Sequence, residues 1–495
     1  MHRSRRRAKS LRTAGRDGAG RLRRALRRHP DVARLRPALQ PVNPLLAIIG
    51  PALHLLQGQL PASAPQGSNI VAAQAAIGSL FSLHILIAGL VSGAGELGPA
   101  IEFLGYVRQR RRYDRLAHGL GRFITLYFSV SSTIAILLIT VLLVGFWGHF
   151  WTTIVTIGWW PLLIEAWTFV LQVSLAYIWY YSWDALRAYK GLHMAIGGLL
   201  AIASFLQVYM IDVIASYMLT PTNPQNPIRL VLNPTSYPLT VHRTVGNLAY
   251  IGFVFGAFCA IRYLRARTPE DKAFYDWAGS FGVLWGISMT LLQPVVGYSY
   301  AKEIQLHAYA SWYKMMFGTL SPVFLWQITL LGLMLITATL YFGRRLRTDG
   351  APGAGLLRAL SVAMVLTTLL AAQPYHLAFT YADVSAAGLD RPFWEGGLIN
   401  PLGSMIPWKV LALMFYTLIA IGAVVWYLRG LPGVIWGTAR RGEERLLLLM
   451  AVLTMLMMVT MGFIRENSRA PFLISGEMTI QGQQNTQNSQ PTPAP

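Results

Sequence analysis

The chain has 495 residues, of which 54% are hydrophobic and only 13% are charged, so its composition excludes a soluble globular protein and a disordered one. Lys and Arg number 42 against 20 acidic residues, and residues 1–36 alone carry +12 of the formal net charge of +22. The other basic residues are spread over loops between apolar runs, as in membrane proteins, which argues against nucleic-acid binding. The single cysteine, Cys259, excludes an intramolecular disulfide, and no CxxCH motif is present for covalent haem attachment.

Two segments precede the apolar spans. Residues 1–40 predict a basic mobile arm, because an Arg- and Gly-rich stretch with little aromatic content cannot bury enough surface to fold. Residues 41–69 hold a short apolar stretch broken by Pro51 and followed by an A-x-A triplet at 62–64. This pattern fits an export signal or an interfacial helix about equally well.

Ten apolar segments follow, each near the length that a helix needs to cross a bilayer of roughly 30 Å. They are continuously apolar and do not alternate at period two, so they predict membrane-spanning helices and not membrane-spanning strands. The predicted fold class is all-α, a polytopic transmembrane helical bundle of nine to ten spans over residues 70–475, with a polar disordered tail at 476–495. The predicted spans are 70–93, 122–146, 156–182, 192–218, 241–264, 275–297, 321–343, 357–373, 406–428 and 444–464.

Loop charges predict the orientation of the bundle. Basic residues cluster in the first, third, fifth, seventh and ninth connections between spans, whereas the intervening loops are poor in them. Cytoplasmic loops carry the excess of Lys and Arg, so the odd-numbered connections are predicted to face the cytoplasm. The segment before Ile70 then lies outside, which conflicts with the basic arm unless residues 45–56 form a membrane segment or a cleaved signal.

Ionisable side chains at membrane depth are costly and therefore indicate function. Four such residues stand out: His84 in the first span, Glu165 in the third, Asp212 near the outer end of the fourth and His242 near the start of the fifth. A neutral imidazole inside a helical bundle is a good axial ligand for haem iron. Considered singly, each of these histidines is more often a hydrogen-bonding core residue than a haem ligand. Glu165 is open to a role as a proton carrier or as a structural acceptor.

Several short strings, taken in order, resemble subunit I of cytochrome bd-type quinol oxidases over roughly residues 74–300, with weaker continuity to about 430. Phe81-Ser82-Leu83-His84, with Glu102 eighteen residues later, looks like the first helix of that family. Leu163-Ile164-Glu165 and Trp183-Asp184 are similar to its third helix. The most specific match is Leu232-Asn233-Pro234, with His242 eight residues after the proline. The resemblance implies that His84 and His242 ligate haem iron, and that the haem of His242 is a low-spin b haem near the outer face.

Other positions depart from the family pattern. Gln172 stands where the third helix of the family carries a second glutamate, and the seventh span reads Trp326-Gln327-Ile328 where an arginine and a methionine are expected. The resemblance leaves Met334 as the nearest second ligand for the low-spin haem, with Met414 as a weaker alternative.

The glutamate and GRQPW signature of the family has two candidate positions. Residues 371–375 read AAQPY at the expected place in the topology, but they lack the arginine and the glutamate that ligates haem. Glu466, with Arg469 after it, keeps the chemistry but follows the last span, and both positions stay open.

The resemblance predicts a haem-binding oxidoreductase subunit of a bacterial-type plasma membrane. Quinol would give up electrons near the outer face, and b-type haem, with d-type haem as a further expectation, would pass them towards oxygen. Glu165 would act as a buried acid near the haems or on a proton path, and a second membrane subunit is the expected partner. Two alternatives stay open: a b-haem electron-transfer subunit that no longer reduces oxygen, and a haem-free scaffold or transporter.

Overall fold

The computed structural model describes residues 70–143, 147–316, 319–372 and 407–480, and every structural statement below concerns those residues. The predicted arm at 1–40 and the segment at 41–69 lie outside them, as do residues 481–495 of the predicted tail.

The described chain is almost wholly helical. In the first half the helices are α1 (Ile70–Arg108), α2 (Arg111–Leu137, extended by a π-helical turn over Leu138–Leu143), α3 (Gly148–Ile157), α4 (Trp159–Tyr181), α5 (Lys190–Leu219), α6 (Pro227–Val231) and α7 (Ser236–Arg265). In the second half they are α8 (Pro269–Thr290), α9 (Gln293–His307), α10 (Tyr309–Met316), α11 (Ser321–Thr348), α12 (Ala354–Ala371), α13 (Pro407–Gly430) and α14 (Arg441–Ser468). Two short strands follow, β1 (Phe472–Ile474) and β2 (Met478–Thr479), paired antiparallel.

Ten spans long and apolar enough to cross a membrane are present among the described residues, which confirms the predicted all-α transmembrane bundle. The helices extend further than the apolar windows predict. Helix α1 continues from the predicted end at 93 to Arg108, and α14 continues from 464 to Ser468. The apolar window stops at the first charged residues, whereas the helix goes on because those residues are partly or fully enclosed by neighbouring helices.

Helix α8 shows how local sequence sets a helix boundary. The Thr268 side chain accepts a hydrogen bond from the backbone N–H of Asp271 at 3.2 Å, and Pro269 occupies the first helical turn, where its missing N–H costs nothing. Glu270 and Asp271 place negative charge beside the unpaired N–H groups of that turn, which stabilises the helix start.

Helix α7 lies at the centre of the bundle. It packs against α1, α5, α8 and α14. The buried share of its most apolar stretch is 61%, against 28% for that of the span containing α1. Helices α7 and α8 approach closely at Gly252, where an added Cβ would lie 2.8 Å from the Gly282 carbonyl oxygen and from the Gly286 nitrogen. Only glycine permits this contact between backbones.

Large apolar side chains cover the outside of the bundle. Trp167 and Leu126 are 69% and 68% exposed, and many other Leu, Ile and Val residues of the spans are exposed as well. A soluble monomer rarely presents so much apolar surface, whereas a surface in contact with lipid requires it.

Loop charges predict that one side of the bundle faces the outside, and we call the helix ends on that side the outer ends. Two sets of contacts stabilise this side. Asn233 accepts hydrogen bonds from the hydroxyls of Thr220 and Thr235 and donates to the Thr220 carbonyl at 2.6 Å, which fixes the connection between α5 and α7. The chain after α14 returns to α5: the Ser475 N–H donates to the Met218 carbonyl at 3.0 Å. The Asn-Pro string is therefore part of a hydrogen-bonded connection between α5 and α7.

Candidate functional site

The two candidate histidine ligands lie in one region of the outer half. Helices α1 and α7 cross where a Cβ on Gly93 would come within 2.4 Å of the Asn247 carbonyl oxygen. His84 and His242 both precede this crossing on helices that run in the same direction, so both lie on its outer side. Arg243, the residue after His242, is close enough to His84 to interact with it electrostatically. The structure thus brings together the two residues that the sequence singled out separately.

Both histidines keep a ring nitrogen without a hydrogen-bond partner. Nδ1 of His84 and Nδ1 of His242 are buried, and neither has a donor or an acceptor within hydrogen-bonding distance. Buried polar atoms in folded proteins are nearly always paired, so two unpaired imidazole nitrogens in one region call for a ligand. A neutral imidazole nitrogen with a free lone pair is the donor that haem iron takes, and the chemistry of these two residues fits that group.

The surroundings of His242 come from helix α9. The Tyr300 ring stacks on the His242 ring with centroids 6.0 Å apart and planes at 28°. Gly297 faces the same imidazole, and a Cβ there would lie 3.4 Å from Cε1. The Gln293 amide donates to the His242 backbone carbonyl at 3.2 Å. Helix α9 therefore supplies one wall of the His242 site.

A buried ion pair follows His242 directly. The Arg243 guanidinium pairs with Asp212 on α5, and the Thr240 hydroxyl donates to the other Asp212 oxygen at 3.1 Å. Asp212 is fully buried. Both of its oxygens are thus engaged by α7, so Asp212, the outer acid noted in the sequence, orients the His242 segment against α5.

The end of α14 brings three charged residues to the same side. Glu466 pairs with Arg469, and Arg465 lies near Asp212 and Tyr300. Nε and Nη2 of Arg465 and Nε and Nη1 of Arg469 are buried and have no hydrogen-bond partner. Glu466 is therefore already neutralised by Arg469 in this structure, while two guanidinium groups keep unused donors.

A cavity of about 500 Å³ opens at this outer end. Its walls come from the end of α5, from α9 and α10, and from the segment after α14. The Lys314 ammonium beside it donates to the Ala470 carbonyl oxygen. Polar residues that line the cavity include Thr222, His307, Ser311, Lys314 and Arg469. The volume falls within the usual range for sites that hold small organic molecules.

Glu165 and Gln172 face helix α5 from α4. The Gln207 amide donates to Glu165 at 3.3 Å, and the Gln172 amide donates to the Ser204 hydroxyl at 2.7 Å. The two hydrogen bonds lie at different levels along α4. Gln172 is 1% exposed, so the amide is as enclosed as a functional acid would be. Glu165 is half-buried and lies six residues from the outer start of its helix.

The two candidate methionines lie elsewhere. Met334 is 1% exposed in the hydrophobic core of the second half, where the Thr454 hydroxyl donates to its sulfur at 3.5 Å. Met414 is 56% exposed on α13. Of the other candidate signature, residues 373–375 lie outside the described residues.

Two functional candidates escaped sequence reasoning. Glu96 and Arg465 lie just beyond the predicted ends of the first and last spans, although both are inside helices. Oε1 of Glu96 is buried without a partner. A longer window that tolerates single charges within an apolar run would have included both residues.

His193 illustrates the opposite case. Its Nδ1 lies 2.6 Å from Glu102 Oε1 and its Nε2 lies 2.8 Å from the Trp179 carbonyl oxygen, so both ring nitrogens are used within the protein. The Trp179 indole donates to the second Glu102 oxygen at 2.7 Å, and Lys190 pairs with the first at 2.7 Å. This histidine is a structural residue.

The fold and the site define a multi-pass helical membrane protein whose outer half holds two half-buried histidines, each with a buried and unpaired ring nitrogen. The family model for cytochrome bd terminal oxidase subunit I matches residues 73–492, and the chain belongs to this family. It is a multi-pass protein of the bacterial plasma membrane.

Comparison with single proteins gives matches among solved structures and none among curated proteins. A solved structure described as the structure of bd oxidase from Geobacillus thermodenitrificans shares 14% sequence identity with the chain at a TM-score of 0.45, over 81% of this chain and 98% of that one. No curated protein matches the chain.

Proposed function

We propose that the chain is the haem-binding subunit of a bd-like quinol oxidase, which takes electrons from quinol near the outer face and passes them towards oxygen. The observation that supports this most directly is the pair of buried, unpaired Nδ1 atoms of His84 and His242 in a chain of this family. These two imidazoles would hold haem iron, which when bound supplies reversible one-electron chemistry.

The outer cavity is the proposed quinol site. Quinol oxygens accept and donate hydrogen bonds, and the Arg469 and Lys314 side chains provide cationic donors at the wall. His307, also on the wall, lies 3.3 Å from Glu303, four residues earlier on α9. A proton released by quinol can pass to this half-exposed pair and then to the outer aqueous side.

Helix α9 connects the two sites. Tyr300 stacks on His242, and His307 lies seven residues further along the helix, which is about 10 Å at 1.5 Å per residue. This separation is short enough for an electron donor in the cavity to be close to a redox group beside His242.

Glu165 is the proposed acid near the haems or on a proton path. Its carboxyl group has one hydrogen bond, from Gln207, and so keeps capacity to hold a proton. Glu466 is the proposed acid of the outer haem region, held by Arg469. A second membrane subunit is the proposed partner, as the resemblance implies.

A second candidate function has one observation in its favour. Gln172 is enclosed between α4 and α5 where the family resemblance calls for an acid, and an amide cannot exchange protons. A subunit with b haem alone, which passes electrons to a redox partner and leaves oxygen untouched, is consistent with that amide.

The test is a dithionite-reduced minus oxidised optical spectrum of the purified full chain, with haem extraction, for the wild type, His242→Ala and His149→Ala. His149 is an exposed histidine and serves as the matched control. We expect the low-spin haem signal to vanish in His242→Ala and to persist in His149→Ala, since loss of an axial ligand removes iron coordination and leaves the apolar spans intact.

The outcomes separate the three functions. A d-type haem together with b haem supports the oxidase, whereas b haem alone favours the electron-transfer subunit. Well-folded wild type without haem overturns both and leaves the scaffold or transporter.

A further inference from the structure

Arg465 is a cation without an anion of its own. It lies on the last turn of α14, and its Nε and Nη2 atoms are buried with no hydrogen-bond partner. An arginine guanidinium stays charged under all ordinary conditions, so it cannot escape the cost of burial by losing a proton.

Each acid near Arg465 is already paired with another arginine. Asp212 gives one oxygen to Arg243 and the other to Thr240, and Glu466 pairs with Arg469. The five charged residues of this group are three arginines and two acids, which leaves one positive charge over.

A surplus buried charge is expensive unless an anion compensates it. Removing one partner from a buried pair is strongly destabilising, because the remaining charge is left without compensation in a poorly solvated place. The unused Nε and Nη2 atoms of Arg465 point in adjacent directions on one guanidinium, and such a fork fits the two oxygens of a carboxylate.

The position of Arg465 indicates which carboxylate to consider. Arg465 is next to Tyr300, whose ring stacks on His242, and it interacts electrostatically with Asp212, which pairs with the residue after His242. A haem held by His242 would have two propionate carboxylates, which are anions of the kind that this fork fits. We infer that Arg465 is the propionate-binding residue for the haem held by His242, an inference that rests on the proposed function.

The experiment measures the midpoint potential of the low-spin haem in the purified full chain by spectroscopic redox titration. The variants are Arg465→Gln, which removes the charge, Arg465→Lys, which keeps the charge but loses the fork, and Arg445→Gln as control. Arg445 lies on the same helix at its cytoplasmic end, where it is exposed.

We expect Arg465→Gln to retain haem and to have a lower haem midpoint potential. The expected decrease corresponds to a change of roughly tenfold or more in the equilibrium constant for haem reduction. The sign follows because loss of a nearby cation stabilises the more positive oxidised iron. Arg465→Lys should shift the potential less, and Arg445→Gln should leave it at the wild-type value.

A second measurement tests the inference even if the Arg465→Gln protein does not accumulate. Haem labelled with ¹³C in its propionate carboxyl groups gives redox difference bands in the infrared, and those bands should move in Arg465→Lys but stay fixed in Arg445→Lys. Unchanged bands, or an unchanged potential in Arg465→Gln, overturn the inference.

Two further results would each give a different assignment. Loss of a bound anionic lipid from Arg465→Gln, with the haem potential unaltered, would assign the fork to a lipid phosphate and overturn the propionate role. A wild type without haem would instead overturn the proposed function itself.

Discussion

Two polar clusters occupy opposite ends of the bundle and differ in how completely their groups are paired. Near the cytoplasmic ends, Glu102 uses both oxygens and His193 both ring nitrogens within the protein. Near the outer ends, His84, His242 and Arg465 keep buried nitrogen atoms without partners. A paired network rigidifies a fold by itself, whereas an unpaired one is stable only when something else completes it. The comparison shows that pairing distinguishes the three histidines, since all three lie in membrane-spanning helices.

The largest expected effect is on stability, from Glu102→Ala at the paired end. This change leaves His193, Lys190 and the Trp179 indole without their shared acceptor, and we expect it to lower the free energy of unfolding by about 3–5 kcal/mol. Thermal unfolding in detergent would measure the loss, with the exposed Arg445→Ala as control. Folded protein that remains should keep its haem spectrum. A lost haem signal at unaltered stability would show that this cluster also serves the redox site.

Arg345→Met tests the same principle in the second half of the chain. The Arg345 guanidinium is fully buried, donates to Asp276 at 2.7 Å and pairs with Asp349 at 2.6 Å. Its removal leaves an uncompensated buried carboxylate, so we expect a loss of about 3 kcal/mol or more. The neighbouring Arg344 is exposed, and Arg344→Met should change thermal stability by less than about 0.5 kcal/mol. Equal effects of the two substitutions would contradict the role of pairing here.

Gly93→Ala tests whether the helix crossing sets the spacing of the histidines. The added Cβ would lie 2.4 Å from a backbone oxygen, which cannot move aside as a side chain can, so α1 and α7 must separate. We expect a loss of about 1–3 kcal/mol together with a perturbed low-spin haem spectrum. Gly198→Ala is the control, because nothing lies within 4 Å of a Cβ at Gly198. A wild-type spectrum in Gly93→Ala would mean that the crossing does not position the ligands.

The smallest expected effect concerns Met334. Its sulfur already accepts a hydrogen bond from Thr454 within the apolar core, so Met334→Leu should change stability by less than about 1.5 kcal/mol and leave the low-spin haem spectrum as it is. Optical spectra of the purified variant would measure this. Disappearance of the low-spin signal would instead make Met334 the second axial ligand, as the resemblance implies. Met414→Leu serves as the exposed counterpart.

The sequence predicts the fold well because a span depends on local composition alone. Ten apolar runs are visible without any knowledge of contacts, and the same ten appear as helices. The apolar windows end too early where a charge follows the apolar run, and the predicted spans therefore omit Glu96 and Arg465. Whether a buried charge is tolerated depends on neighbours from other helices, and no local window contains them.

The site was predictable only in part for a related reason. His84 and His242 could be chosen by type and by resemblance, but their shared region depends on the crossing at Gly93 and Asn247. Pairing between residues far apart in the chain is also invisible in the sequence. Asp212 pairs with Arg243, which lies 31 residues later, and His193 pairs with Glu102, which lies 91 residues earlier. Only these contacts distinguish a histidine with a free nitrogen from one without.

The outer cavity has a consequence for the order of assembly. Its walls come from three stretches that are far apart in the chain, around Thr222, around His307 and around Arg469, and the last stretch returns to α5 through Ser475 and Glu477. During synthesis the third wall emerges only after α14, when every preceding span has been made. The cavity is therefore closed by the final segment of the bundle, so that a chain arrested before residue 469 would carry both histidines but no complete chamber at its outer face.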